Sequence, residues 1–191
     1  MDAARDLFLT HGYTAVSVEQ IAAHADVGPA TVYNHFGSKA AIAAYLFKDV
    51  FEPLLSAAQA DVEAHMPVEH SVQRHLELFA QLAINEHMVV DVFLRGLLET
   101  GLKGDYADPA ANPRQIVSLH MPLTTILEAG KARGEIPAQL DTRDAAGMAL
   151  NPFIVKLIAG SEPMEAAHTV AQLLLYGVFG PERKEKKEPG R

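Results

Sequence analysis

The chain contains no cysteine, which excludes a disulfide scaffold and every metal site built on thiolates. It has no run of about 18 apolar residues, the minimum a helical membrane span needs. Met1 is followed by Asp2, Arg5 and Asp6 rather than by the basic stretch and apolar core of a secretory leader. Strand signals are nearly missing as well, since no alternating apolar–polar run lies between turn residues. These absences leave an all-helical protein of the cytoplasm, with no membrane partner, as the expectation.

What is present is an ordinary globular balance, 49% hydrophobic and 21% charged over 191 residues. That is long enough to bury a core without covalent staples. The net charge of −8 is unevenly spread. Residues 1–48 carry three basic and four acidic groups, and residues 181–191 five basic and three acidic. The stretch 49–180 holds eight basic and 17 acidic groups, so the acidity belongs to the large central part.

Helical spacing runs throughout. Ala4, Leu7 and Phe8 form one stripe, ended by Gly12. Val18, Ile21, Ala22 and Ala25 form the next, with Ser17 as N-cap and Gln20 completing a capping box. Gly28-Pro29 restarts a short helix, because glycine is an acceptable N-cap and proline suits the first helical position. Gly37 closes that helix and Ser38 caps a long fourth, from about Lys39 towards His65. Further helices are predicted near 69–86, 87–100, 114–132, 142–159 and 164–178. Residues 181–191 are a mixed-charge tail expected to be disordered. Three regions follow: 1–45, 46–180 and 181–191.

The second and third helices, joined by a turn around Ala25–Val27, make a helix-turn-helix whose later helix suits the DNA major groove. Val27, Val32 and Phe36 can anchor that helix inward, leaving Gly28, Pro29, Ala30, Thr31, Tyr33, Asn34 and His35 outward. Thr, Tyr, Asn and His supply hydrogen bonds to phosphates or base edges, and small Ala30 permits close approach. Ser17 and Lys39, at the starts of the second and fourth helices, complete the DNA-facing set.

The strings ARDLFLTHGY (Ala4–Tyr13), SVEQIA (Ser17–Ala22) and VGPATVYNHFGSK (Val27–Lys39) together resemble the N-terminal domain of TetR-family regulators. Agreement in several parts, in register over about the first 45 residues, is far more specific than a lone short pattern. The resemblance implies a three-helix DNA-binding domain, a helical effector domain and dimerisation by the last two long helices. It places Thr31, Tyr33, His35 and Lys39 at the family's usual DNA contacts. Departures are Asp26 and Ala30, where glycine is common, and acidic Glu19 on the exposed side of the second helix. Family members also carry a basic extension before helix 1, whereas this chain begins within that helix.

In the last two helices the apolar residues Ala146, Ala149, Phe153, Leu157, Ala167, Val170 and Leu174 form a stripe wider than an isolated domain needs. A two-fold dimer would join both pairs into a four-helix bundle and present two recognition helices about 34 Å apart. Pro53, Pro122 and Pro152 interrupt helical patterns and should kink them. Beside Pro122, the residues Val117, His120, Met121 and Thr124, with Met88 and Phe93, offer a mostly apolar lining for a small effector. Plain core packing is the other account of these residues.

His65, His70 and His75, five apart, do not share a helical face, so no metal site is expected and no cofactor is implied. His87 and His120 could hydrogen-bond a ligand. No nucleophile or acid–base pair stands at a recognisable spacing, so the chain does not read as an enzyme. The reading is a ligand-responsive transcriptional regulator, a repressor by resemblance, that binds a palindromic operator as a homodimer and is released by an apolar or amphipathic effector. The alternative is a ligand-binding protein of the same fold that has lost operator binding.

Overall fold

Every element of the computed structural model, which describes residues 1–99 and 118–176, is a helix. The helices among the described residues are α1 (Asp2–His11), α2 (Val18–His24), α3 (Pro29–Phe36), α4 (Lys39–Glu63), α5 (Val68–Asn85), α6 (His87–Glu99), α7 (His120–Ala132), α8 (Thr142–Ile158) and α9 (Pro163–Tyr176). The fold is all-α, with an N-terminal helix-turn-helix followed by a larger helical domain. The expected tail, 181–191, lies outside the described residues.

Local signals set the boundaries in the first part. The Ser17 hydroxyl accepts from the Gln20 amide at 3.2 Å, and the Gln20 side chain accepts from the Ser17 amide at 2.8 Å, closing the capping box. Gly12 ends α1 at φ 77°. Ser38 accepts from the Ala41 amide at 3.0 Å and starts α4. The α2–α3 turn is a Schellman cap: Val27 donates to the Ala22 carbonyl at 3.0 Å and Asp26 to Ala23 at 3.3 Å. Asp26 holds the left-handed position of that cap, φ 55°, where a glycine is unstrained.

Two hydrophobic clusters share α4 and α6. The smaller gathers Phe8, Tyr13, Val16, Ile21 and Val32 around Ile42, Leu46 and Phe47 of α4. The larger gathers Phe51, Leu54, Val72, Leu76, Phe79, Leu123, Leu150 and Phe153. α5 packs against α4, α6, α7 and α9, with α9 along it most extensively. The division expected at 45/46 therefore falls inside one uninterrupted helix whose two halves serve different cores.

Several expectations need revision. The helix predicted from 114 starts at His120 among the described residues. Pro122 thus lies in the first turn of α7, where its missing N–H breaks no intrahelical bond and demands no kink. Pro53 and Pro152 do lie inside their helices, α4 and α8. The segment Gly130–Ile136 ties α7 to α5. A Cβ on Gly130 would fall 1.9 Å from Val68 Cγ2, so only glycine lets α5 approach α7 here. Glu135 accepts from the Val68 amide at 2.7 Å, and Arg133 donates to the Met66 carbonyl at 3.0 Å while pairing with Glu135.

Candidate DNA interface and effector region

Seven of the nine residues expected to face DNA, Gly28, Pro29, Ala30, Thr31, Tyr33, Asn34 and His35, form one exposed surface. Val32 alone is buried in α3, and half-buried Phe36 packs edge-on against Tyr45 with ring centroids 6.1 Å apart. Val27, expected to anchor α3 inward, is 43% exposed, because the Schellman cap leaves it at the surface. An eight-residue helix held by so narrow a strip gains little from packing, and its polar outer residues are free to meet another molecule.

Ser17 is half-buried and engaged in the capping box. Lys39 was expected to meet a phosphate. Its ammonium instead donates to the Tyr13 carbonyl at 3.2 Å and sits 4.1 Å from the Tyr13 ring centroid. It fastens the start of α4 to the α1–α2 loop, and a phosphate would have to draw it away. Glu19 is exposed beside α3 and accepts a 3.4 Å hydrogen bond from the Tyr33 hydroxyl. Hydrogen bonds from its own backbone amide, from Ser17 and from Tyr33 hold its carboxyl below the ordinary value, which keeps a negative charge next to the recognition helix at neutral pH.

The residues expected to line an effector site are not brought together. Phe93 lies in the larger core, its ring centroid 4.5 Å from that of Phe51. Met88 is exposed on the first turn of α6. His120 faces α8, where a Cβ on Gly147 would lie 3.9 Å from its ring, and Thr124 donates back to the His120 carbonyl at 2.9 Å. Val117 lies outside the described residues. Met121 does line a groove of about 310 Å³ between α4 and α7, with Lys48, Phe51, Glu52, Leu55 and Pro122. The α4 side of that groove was missed, because its residues read as ordinary helix surface. His87 borders a second cleft, of about 280 Å³, with Asp91, Leu157 and Ser161.

The residues expected at a dimer interface are also placed otherwise. Ala146, Ala149, Phe153, Ala167 and Val170 are buried inside the protomer, and Leu157 and Leu174 are half-buried against the same core. Their stripe is wide because α8 and α9 pack into the larger core, which leaves Leu157 and Leu174 partly exposed and the other five buried. The exposed apolar residues of these helices are Met148, 74% exposed, with Val155, Met164, Leu173 and Tyr176.

α6 joins the two parts, a role the sequence reading missed. Val89 and Val92 pack into the smaller cluster, while Val90, Phe93, Leu94 and Leu97 pack into the larger. A Cβ on Gly96 would meet the Tyr13 ring at 3.4 Å and Ala40 Cα at 3.6 Å. Among the described residues no helix is long and apolar enough to cross a membrane, and no cluster of His, Asp or Glu could hold a metal ion.

An exposed, mostly polar helix on a capped three-helix scaffold, continuous with a larger helical domain, is the arrangement of helix-turn-helix proteins. Residues 1–46 match the family model described as bacterial regulatory proteins, tetR family. The chain is 28% identical over 167 residues to the HTH-type transcriptional regulator YdeS of Bacillus subtilis, covering 85% of this chain and 78% of that protein. It is 27% identical over 175 residues to the HTH-type transcriptional regulator AlkX of Mycobacterium tuberculosis, covering 90% and 77%. Among solved structures it resembles the TetR-family repressor FadR of Thermus thermophilus in complex with lauroyl-CoA, with TM-score 0.74, 18% identity, and coverage of 100% of this chain and 97% of that one. It also resembles FadR of Bacillus subtilis in complex with stearoyl-CoA, with TM-score 0.60, 22% identity, and coverage of 93% and 96%. The N-terminal 46 residues are thus similar to the DNA-binding domain of the TetR family, and most of the chain's length is similar to HTH-type transcriptional regulators.

Proposed function

We propose that this regulator binds a two-fold operator as a homodimer through α3 and leaves it when an apolar or amphipathic effector enters the larger domain. The observation that carries the reading is α3 itself, whose residues other than Val32 and Phe36 are all exposed and mostly polar. Thr31, Tyr33, Asn34 and His35 are the residues we assign to base edges and phosphates. Such a protein works in the cytoplasm, where the DNA is. The exposed apolar residues Met148, Val155, Leu173 and Tyr176 supply the face for the second copy.

The α4–α7 groove is the entry we assign to the effector, since its volume of about 310 Å³ falls at the small end of ligand sites. An effector wedged there pushes on α4 near Phe51, and α4 with α6 carries the displacement into the smaller core. By linkage, the same effector binds less tightly to the DNA complex than to free protein. The acyl-CoA complexes of the two FadR structures make lauroyl-CoA the first compound to try.

Binding to DNA from upstream of the protein's own gene, across a salt series and against a random duplex, tests the reading. Specific dimeric binding with a negative salt slope supports it. Equal binding to both duplexes favours the alternative of a ligand-binding protein without an operator, for which the ionised Glu19 beside Tyr33 is the specific observation.

A further inference from the structure

The larger core holds one polar side chain that packing does not explain. His75, in the middle of α5, is 2% exposed, and among the described residues neither Nδ1 nor Nε2 has a hydrogen-bond partner. Other buried polar groups are engaged: Asp61 pairs with the part-exposed Arg74, and Thr142 donates to Glu128. Each buried donor or acceptor left unmade costs about 1–3 kcal/mol. A leucine at this position would fill similar volume without that penalty. Burial alone lowers the imidazole to about 4, so at neutral pH it is an uncharged ring with one donor and one acceptor.

The position connects to the groove. Phe51 lines the groove and meets Phe79 edge-on, with ring centroids 6.0 Å apart. Phe79 and His75 lie four residues apart on the same buried face of α5, and Ser71 lies one turn before His75 on that face. Phe79 thus meets the groove residue Phe51 and lies one helical turn from His75.

We infer that His75 is the polar anchor of the effector site, and that the effector carries an uncharged hydrogen-bonding group, a hydroxyl or a carbonyl, into an otherwise apolar core. The inference rests on the effector reading above and narrows it. A charged head is disfavoured at that depth, because a neutral imidazole cannot offset the loss of its hydration. A hydroxyl can partner either ring nitrogen, accepting from the protonated one or donating to the bare one.

The test uses the full chain, decanol and decane as probes, and displacement of the fluorescent amphipathic dye anilinonaphthalenesulfonate as readout. In a site with no polar partner, decane outcompetes decanol. In this protein decanol should bind at least as well as decane, and in His75→Leu the decanol-to-decane affinity ratio should fall by about tenfold or more, the equivalent of one buried hydrogen bond. His75→Gln, which keeps a donor and an acceptor, should restore most of the ratio. His75→Phe serves in place of the leucine variant if that one does not fold. An unchanged ratio in His75→Leu overturns the anchor and leaves the effector reading standing. If neither probe displaces the dye from the native protein, both the anchor and the groove as an effector entry fall, while operator binding, measured separately, is untouched.

Discussion

α3 buries one of its eight residues, Val32, whereas α5 buries eight of eighteen, from Val68 to Ala83. Both helices carry polar side chains assigned to recognition, but under opposite constraints. On α3 the outer positions are released from packing, so Thr31, Tyr33, Asn34 and His35 need not be there for the fold. On α5 a buried residue must first fit its neighbours, so a ligand-binding group and a core residue look alike unless hydrogen bonding gives one away. His75 is noticed only because both its nitrogens are unpaired. The difference teaches that a surface site declares itself by residue type, and a buried site by unsatisfied chemistry.

The sharpest way to break the comparison is to strip the α3 surface. In Thr31→Ala/Tyr33→Ala, operator affinity should fall about 100-fold or more, at about 1–3 kcal/mol for each lost base or phosphate contact. Thermal stability should hold within about 0.5 kcal/mol, as for other exposed substitutions. Fluorescence anisotropy and a melting curve measure both. A loss of stability equal to the loss of affinity would show that α3 is held by these side chains, and that the two helices do not differ as described.

Acid should act on α5 and spare α3. His75 has its folded value lowered to about 4 from 6.5 by burial. As pH falls below 6.5 the unfolded chain takes up a proton that the folded state refuses until about 4, so folding is progressively disfavoured in that window. The contribution is complete above 6.5, and its loss approaches roughly 3 kcal/mol near pH 4. Urea midpoints at pH 7.5 and 4.5 should diverge less in His75→Leu than in the native chain. Equal divergence would mean that the ring is not desolvated when folded.

The same contrast explains what could be read from the sequence. Gly12, the Ser17–Gln20 capping box, Gly28-Pro29 and Ser38 are local devices, each with its own sequence mark, so the limits of α1 to α4 were legible. The start of α7 was not, because Pro122 fits a first turn as readily as a kink. The stripe through Ala149 and Phe153 suits a dimer face and a core alike, because dense apolar spacing marks burial without saying what covers it. Met148 and Val155, exposed on the same helix, are too sparse to form a pattern. Spacing groups His75 with His65 and His70 but carries no information about whether its nitrogens find partners.

Within the larger domain, Gly130→Ala should destabilise by about 1–3 kcal/mol, since its Cβ would strike Val68 Cγ2 at 1.9 Å and that branched side chain is itself buried. Val68→Ala should recover part of the loss in the double variant, a coupling expected of residues in contact. Operator affinity, measured well below the melting transition, should be unchanged. If Gly130→Ala alters operator affinity while stability holds, the α5–α7 contact transmits state to the DNA end, and it is more than close packing.

The smallest effect is expected at Glu19, where an acidic group stands on the surface proposed for DNA. Its carboxylate is ionised at neutral pH and accepts a long 3.4 Å hydrogen bond from Tyr33, an exposed contact that adds little stability. Glu19→Gln keeps an acceptor for that hydroxyl and removes one negative charge near the phosphates. If the charge merely repels DNA, operator affinity should rise about threefold at low salt, and the gain should shrink as the Debye length drops below about 10 Å above 0.1 M. A gain on operator and random duplex alike identifies general electrostatics. A loss confined to the operator would instead make Glu19 a reader of sequence, accepting from a cytosine amino group in the major groove. The acidic residue that counts against DNA binding in the composition would then be part of its specificity, and the recognition surface would extend from α3 onto α2.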